Sequence, residues 1–475
     1  MTDLHYLDAT SALKLFRSRE LSPVELLDAL IARTDAVNGA INALTETLFA
    51  EARLAARQAA ARYARGRDLA PLLGLPVATK EKHGLRGRTL SQGLLARKGD
   101  IAMADHPVIE RIINAGGIIH ARTTTPEYSC ATVTHSPLWG VTRNPWNLQY
   151  SPGGSSGGSG AALAAGLAPL ATASDIAGST RLPAAFTGTV GFKASYGRIP
   201  GLAPLAADHY RGDGPMARTV ADTALLAGVM AGRSRADHAS LADLPEGWPG
   251  PGTAVGGISV AGMRIALCIR LGNYPVAADV EANTRATAEA LRQAGAVVEE
   301  IELPWTTESI RRTIFTHFGY LLGPAMEDET AASVEQLAPY TRQFMADARR
   351  AAEENRYLDG IRAEAQLQSE LAEAMADFDA LVCPASAVPA LEAEGQYLDG
   401  IDAGAVHLEH YWQGHMTAPF NIANRCPVLA VPSGIADCGI PTGVQIVGHP
   451  FDDATVFRLG AALEAVQPWT CRPPL

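Results

Sequence analysis

The chain has 475 residues, 47% apolar and 19% charged, enough hydrophobic material for a sizeable core and far from the composition of a disordered chain. Its 39 Lys and Arg against 50 Asp and Glu leave a formal charge of −11, which argues against nucleic acid or an anionic membrane as partner. Six cysteines (Cys130, Cys268, Cys383, Cys426, Cys438 and Cys471) stand far apart without metal-ligand spacing, the pattern of a reduced protein without disulfides.

The opening MTDLHYLDATSALKLF lacks the basic start and apolar stretch of a signal peptide, and no apolar run reaches the ~18 residues of a membrane span. The cytoplasm is the expected location. Ser22-Pro23-Val24-Glu25 predicts a helix start, with Ser as N-cap, Pro at the first helical position and Glu closing a capping box. Val24, Leu27 and Ile31 follow at helical spacing, and a second helix is predicted over 46–64. Residues 74–79, GLPVAT, read as a short buried strand that leaves Lys80 at its end. Further strands are predicted at 117–121 and 170–173. Residues 232–257, rich in Gly, Pro and charge, read as a surface linker dividing the chain into unequal halves. Beyond it come a strand (263–269), a helix (283–293), a strand (297–303) and a helical stretch (306–377). This alternation predicts an α/β fold with a sheet covered by helices on both faces, the whole chain, 1–475, forming one domain.

The densest signal is the run Ser151-Pro152-Gly153-Gly154-Ser155-Ser156-Gly157-Gly158-Ser159-Gly160, followed by AALAAGLA. Glycines packed this closely let backbone N–H groups approach a ligand at an entropic cost. A flexible linker is disfavoured, because such a linker is not normally embedded between apolar segments. A phosphate-binding P-loop needs Gly-Lys-Ser/Thr at its end, which is missing. Residues 153–157 fit the G-x-S-x-G nucleophile elbow, but the preceding TRNPWNLQYSP is polar and proline-broken where an elbow requires a strand. His209, His317 and His449 could complete a Ser-His-Asp triad, yet none has a recognisable setting.

A second serine decides among these readings. Asp175-Ile176-Ala177-Gly178-Ser179-Thr180-Arg181 places Ser179 after small residues, where the N–H groups of Ile176, Ala177, Gly178 and Ser179 could hold an oxyanion. With Lys80, the segments GGSSGGSGAALAAGLAPLA, DIAGSTRLPAAF and Gly191-Phe192-Lys193-Ala194-Ser195-Tyr196-Gly197-Arg198 resemble the amidase signature family in order and spacing. The resemblance runs from the helix start at Ser22 through Gly214-Pro215-Met216-Ala217-Arg218 to Gly443-Val444-Gln445-Ile446-Val447-Gly448. It implies the amidase signature fold, a mixed central sheet with helices on both faces. It also implies a Ser-cisSer-Lys triad, with Ser179 as nucleophile, Ser155 as bridging serine on a cis peptide and Lys80 as base. The implied activity is hydrolysis of a carboxamide C–N bond through a serine acyl-enzyme, without metal or other cofactor. The expected partner is a small molecule, and a homodimer is compatible with the pattern.

The chemistry sets its own demand on Lys80. At a pKa of about 10.4, roughly one lysine in 2,500 is neutral at pH 7, so a lysine base must be held in a desolvated position. Ser155, able to donate and accept, can pass a proton between Lys80 and Ser179.

The chain departs from the family in places. Lys80-Glu81-Lys82-His83 replaces the usual Lys-Asp-Asn and is read as a solvated turn, with Glu81 pointing away and Lys82 reaching water. Ala177 replaces a glycine without removing an N–H donor. Asn424-Arg425-Cys426-Pro427 replaces a small glycine-containing step; Arg425, Cys426 and Ser129 are the expected substrate-pocket residues, and Cys426 lacks a base that would make it a nucleophile. His407, His410 and His415 invite a zinc reading, which fails for want of HExxH or a completing carboxylate or cysteine. The apolar and aromatic segments 418–423 and Tyr411-Trp412 predict a neutral aryl or alkyl amide as substrate, with carbamates and esters as alternatives. A further alternative, the glutaminase subunit of a tRNA-dependent amidotransferase, is disfavoured because residues 363–390 lack the expected Arg-Arg-Ile stretch.

Overall fold

The computed structural model describes residues 3–67, 69–242, 244–245, 247–248, 250, 257 and 259–475. Within the expected linker, residues 243, 246, 249 and 251–256 lie outside the described residues. In chain order the strands are β1 (Leu44–Thr47), β2 (Pro76–Lys80), β3 (Ile118–Thr123), β4 (His135–Ser136), β5 (Gly140–Val141), β6 (Leu170–Asp175), β7 (Val190–Lys193) and β8 (Gly212–Ala217). They continue as β9 (Arg264–Leu267), β10 (Val297–Glu300), β11 (Ala380–Pro384), β12 (Ile401–Ala403), β13 (Val406–Leu408), β14 (Val428–Ile435) and β15 (Pro441–Gly448).

Eleven of these form one mixed sheet in the order β1-β3-β2-β6-β8-β7-β14-β15-β11-β9-β10. β2 lies parallel to both β3 and β6, and β9 is parallel to β10 and β11. The remaining neighbours, β1 with β3 and those from β6 through β8, β7, β14 and β15 to β11, run antiparallel. Strands from before and after the expected linker thus share one hydrogen-bonded sheet, with β14 inserted between β7 and β15.

Alternation along β9, β11 and β15 sends side chains to the two largest of five hydrophobic clusters among the described residues. Ile265 and Leu267 of β9, Val382 of β11 and Ile446 of β15 face one hydrophobic cluster, shared with the helices Val220–Met230, Ala278–Gln293 and Asp453–Val466. Ala266, Leu381, Cys383 and Val447 face the other, shared with the helices Thr307–Tyr320, Pro339–Glu354 and Tyr357–Ala374. These last three realise the helical layer expected over 306–377.

The helix Pro23–Ile41 begins as expected: Ser22 Oγ accepts the Val24 N–H at 3.2 Å and Glu25 Oε2 accepts the Ser22 N–H at 2.8 Å. The helix predicted over 46–64 starts later, spanning Phe49–Arg65, because Glu46 and Thr47 pair with Arg122 and Ala121 of β3. Helical composition yields there to a sheet edge that needs a partner strand.

Candidate active site

β2 is buried along its whole length and carries Lys80 at its C-terminal end, fully removed from solvent. The Lys80 N–H donates to Thr172 Oγ1 of β6 at 3.0 Å, which fixes the strand end beside β6. Lys80 Nζ meets three hydroxyls, Ser155 Oγ at 2.7 Å, Ser156 Oγ at 2.9 Å and Ser174 Oγ at 3.0 Å. As an ammonium the lysine has three hydrogens for these oxygens; as a neutral amine it donates two and accepts one. Ser156 Oγ has its own acceptor in Ser174 O at 3.4 Å, which frees Ser155 to be the donor in the neutral state. The same oxygens therefore satisfy both protonation states, and one proton moved between Ser155 and Lys80 interconverts them. Burial, and after it the charge of Lys82, holds the Lys80 amine well below the ordinary lysine range.

The Gly/Ser run is buried from Ser151 onward, so it is not a linker, and irregular chain rather than a strand runs up to the helix Gly157–Ala164, so it is not an elbow. Its glycines serve close packing: a Cβ at Gly158 would stand 2.4 Å from Thr124 Oγ1. The Gly154–Ser155 peptide is cis, as the family resemblance implies.

Ser179 follows β6 in a turn closed by Asp175, whose carboxylate accepts the N–H groups of Gly178 at 2.7 Å and Thr180 at 3.1 Å. Ser179 is 8% exposed, and its carbonyl accepts the Ser156 N–H at 3.2 Å, which joins the two serine segments. Gly178 has φ +124°, and a Cβ there would fall 1.9 Å from Thr417 Oγ1. The expected oxyanion set needs one correction. The Gly178 N–H is committed to Asp175, whereas those of Ile176, Ala177 and Ser179 have no acceptor among the described residues.

Arg181 supports this turn from behind, fully buried, donating to both Asp175 oxygens, to Gln445 Oε1 at 2.6 Å and to the Thr417 carbonyl at 2.9 Å. Burial alone would raise the Asp175 pKa, but the Arg181 guanidinium outweighs it and holds the carboxyl below the usual carboxylate range. Asn421 Nδ2 bridges Asp175 Oδ1 at 3.0 Å and the Tyr210 carbonyl at 2.9 Å.

The solvated-turn expectation is overturned at Glu81 and His83, both fully buried. Glu81 is fully buried and accepts from the N–H groups of Ser91 and Gln92 and from the Ser91 hydroxyl. Lys82 is half-buried, and burial, then Arg211, pushes its amine down to about 7. His83 is buried in a chain of bonds behind Lys80. Asp213 Oδ1 can only accept, so His83 Nε2–H donates to it at 2.9 Å, and Nδ1 of the neutral ring then accepts the Thr172 hydroxyl hydrogen at 2.9 Å. His106 Nε2 stands 3.4 Å from Asp213 Oδ2, and its Nδ1 accepts the Val108 N–H at 3.3 Å.

The other candidates lie elsewhere. Arg425 is exposed, stacks over Tyr196 and Phe451 and donates to the Tyr196 carbonyl at 2.9 Å. It lines, with Cys426, Met375 and His449, a cavity whose walls include none of Lys80, Ser155 and Ser179. Their expected place in the substrate pocket is corrected: the loop turns outward at 425, against the aromatic rings of Tyr196 and Phe451. Burial pushes the Cys426 thiol up to about 11. Ser129 is buried with its hydroxyl 3.0 Å from Thr125 Oγ1. His407 pairs with Asp402 on the exposed hairpin, His410 caps Tyr411–Gly414 and His415 contacts Thr132 and Ser386, so these three histidines do not converge. His449 bonds the Phe378 carbonyl.

Sequence reading missed Ser156, Thr172 and Ser174. The last two carried a signal: polar residues two apart in the otherwise apolar run LATAS, 170–174, share one side of the strand.

The amidase family model matches residues 25–457. The chain belongs to the amidase signature family. Among similar members is an acylamidase of Rhodococcus erythropolis, 33% identical over 485 residues that cover 99% of this chain and 98% of the relative. A glutamyl-tRNA(Gln) amidotransferase subunit from Chloroflexus aggregans is also 33% identical, covering 100% and 99%. Among solved structures of the family, a bacterial aryl acylamidase superposes with a TM-score of 0.88 at 25% identity over 98% of this chain and 97% of that one. The chain is thus an amidase signature hydrolase acting on C–N bonds, and the fold class expected from sequence holds.

Proposed function

We propose that this chain hydrolyses the carboxamide of a small neutral substrate bearing an aryl or alkyl group, through a Ser179 acyl-enzyme. The observation that carries the proposal is the buried Lys80–Ser155 bond set beside a nucleophile turn with unengaged N–H groups and apolar neighbours. In this reading the Ser179 hydroxyl attacks the carbonyl while Ser155 passes its proton to neutral Lys80. The N–H groups of Ile176, Ala177 and Ser179 receive the negative charge that develops on the carbonyl oxygen. Lys80 returns the proton through Ser155 to the leaving amine, and water then cleaves the ester by the same route in reverse.

Neutral selectivity is supported by the surroundings. Ile176 and Ala177 join a hydrophobic cluster with Leu182, Phe186, Tyr210 and Trp412. Arg181 is engaged by four residues, and Arg425 stacks on the outer surface. A buried carboxylate in the substrate would want a free cation. The likeness to an acylamidase and an aryl acylamidase points the same way.

The test is a panel of aryl amides, alkyl amides, carbamates, esters and free glutamine, assayed for released amine or ammonia. Neutral aryl amides should give the highest kcat/KM, and Ser179→Ala should lower it by on the order of 10⁴-fold or more. Glutamine turned over faster than any neutral amide would replace this reading with glutaminase chemistry. Full activity in Ser179→Ala would remove the nucleophile.

A further inference from the structure

The loop before β8 meets two of the flanking helices in a cluster that the hydrolytic chemistry does not use. Asp208, His209 and His317 place ligand-type atoms within 4.8 Å of one another, and the carboxylate of Glu364, on the helix Tyr357–Ala374, lies against both histidines. His317 is buried, and its Nε2 bonds Asp208 Oδ1 at 2.8 Å. With Asp208 as an ionised acceptor that nitrogen carries the hydrogen, which in the neutral ring leaves the Nδ1 lone pair free; Nδ1 is a buried atom with no hydrogen-bond partner among the described residues. It stands 3.8 Å from Glu364 Oε1, too far for a hydrogen bond. His209 Nε2 stands 3.1 Å from Glu364 Oε2.

We propose that His317 Nδ1, His209 Nε2 and the Glu364 carboxylate bind a borderline transition-metal dication such as Zn²⁺ or Co²⁺. Two donors each about 2.0–2.2 Å from a tetrahedral zinc ion stand roughly 3.3–3.6 Å apart, so the 3.8 Å between His317 Nδ1 and Glu364 Oε1 needs to close by only a few tenths of an ångström. Asp208 supplies the carboxylate that orients a ligating histidine, and the Tyr210 hydroxyl, 2.8 Å from Glu364 Oε1, steadies the carboxylate ligand. Tyr210 also stacks on the His317 ring, 3.7 Å between centroids and 8° from parallel, which fixes its plane.

Charge points the same way. Asp208 and Glu364 are both buried, and no lysine or arginine donates to either among the described residues. His209 offers an entry path, its side chain being 37% exposed. The dication takes the place of the hydrogen between His209 and Glu364, so binding releases a proton from His209 if that ring was charged. The second buried group of this kind, His83, His106 and Asp213, is closed to a metal. His106 Nδ1 accepts a backbone N–H, which puts the hydrogen on the Nε2 facing Asp213, and His83 is bonded at both nitrogens.

The experiment titrates chelator-stripped full-length protein with Co²⁺, reading the visible absorption of the bound ion, then displaces it with Zn²⁺. The wild type should bind one Co²⁺ saturably, with a visible band that Zn²⁺ abolishes. His209→Ala and Glu364→Gln, each shown to be folded by its thermal melt, should lose the band or bind at least about tenfold more weakly. Absence of a saturable band in the wild type overturns the site. So does wild-type affinity in either folded variant, since the ion would then sit elsewhere.

Discussion

Lys80 is surrounded by hydroxyls, and among the described residues no carboxylate touches its amine. Its pKa in the folded chain is depressed, whereas the unfolded chain holds a lysine near 10.4, so between the two values the unfolded state binds the extra proton. Stability therefore rises with pH across that window as this one group contributes. The difference in Tm between wild type and Lys80→Met should shift in favour of the wild type as pH goes from 7 to 10, while Lys80→Met has no turnover at any pH. In the wild type, kcat/KM should climb with pH through the depressed lysine pKa and then level off; a rate highest in acid contradicts a neutral-lysine base. The three triad residues were legible because short apolar and glycine-rich segments frame them. The His83–Asp213–His106 group was not, since His83 and Asp213 are 130 residues apart and meet only once β2, β6 and β8 are paired. Nothing within the sequence around Lys82 distinguishes a buried turn from a solvated one.

The turn between β6 and the helix Arg181–Thr187 shows how an element holds a nucleophile. Its geometry depends on Asp175, which gathers two backbone N–H groups, the Arg181 guanidinium and Asn421. Replacing Arg181 leaves a buried carboxylate with its charge uncompensated. Arg181→Met should cost about 3–5 kcal/mol in denaturant unfolding and lower kcat more than KM, because the oxyanion donors lose their brace. An unchanged midpoint would show that Asp175 is stabilised by its remaining donors alone. At this scale sequence was a good guide to strands and a poor one to their ends. The strand expected over 297–303 stops at Glu300, and the helix expected over 283–293 begins at Ala278, because pairing with β9 and packing on the sheet set those limits.

Across the whole molecule, the sheet order is what sequence could not supply. The expected linker suggests two halves in succession, yet β14 and β15 from the second half continue the sheet from β7 of the first. Each half alone would leave a long open row of backbone groups and only part of the two large hydrophobic clusters. Co-expressed fragments 1–242 and 259–475 should therefore co-purify and hydrolyse amide, and neither fragment should be soluble alone; two independently soluble fragments would contradict a shared core.

The sheet must also end somewhere, and at β10 it ends on four residues of which only Val298 is buried. Glu299 pairs with Arg264, and Glu300 is held bidentately by Arg285. An incoming strand would have to strip water from these ion pairs before forming its first hydrogen bond, so the rim repels self-templating growth. The double variant Glu299→Val, Glu300→Val should scatter light progressively on storage at concentrations where the wild type stays clear. A homodimer joined strand to strand through β10 is thereby disfavoured, and on this side the hydrogen-bonded sheet stays a finite object inside each protomer.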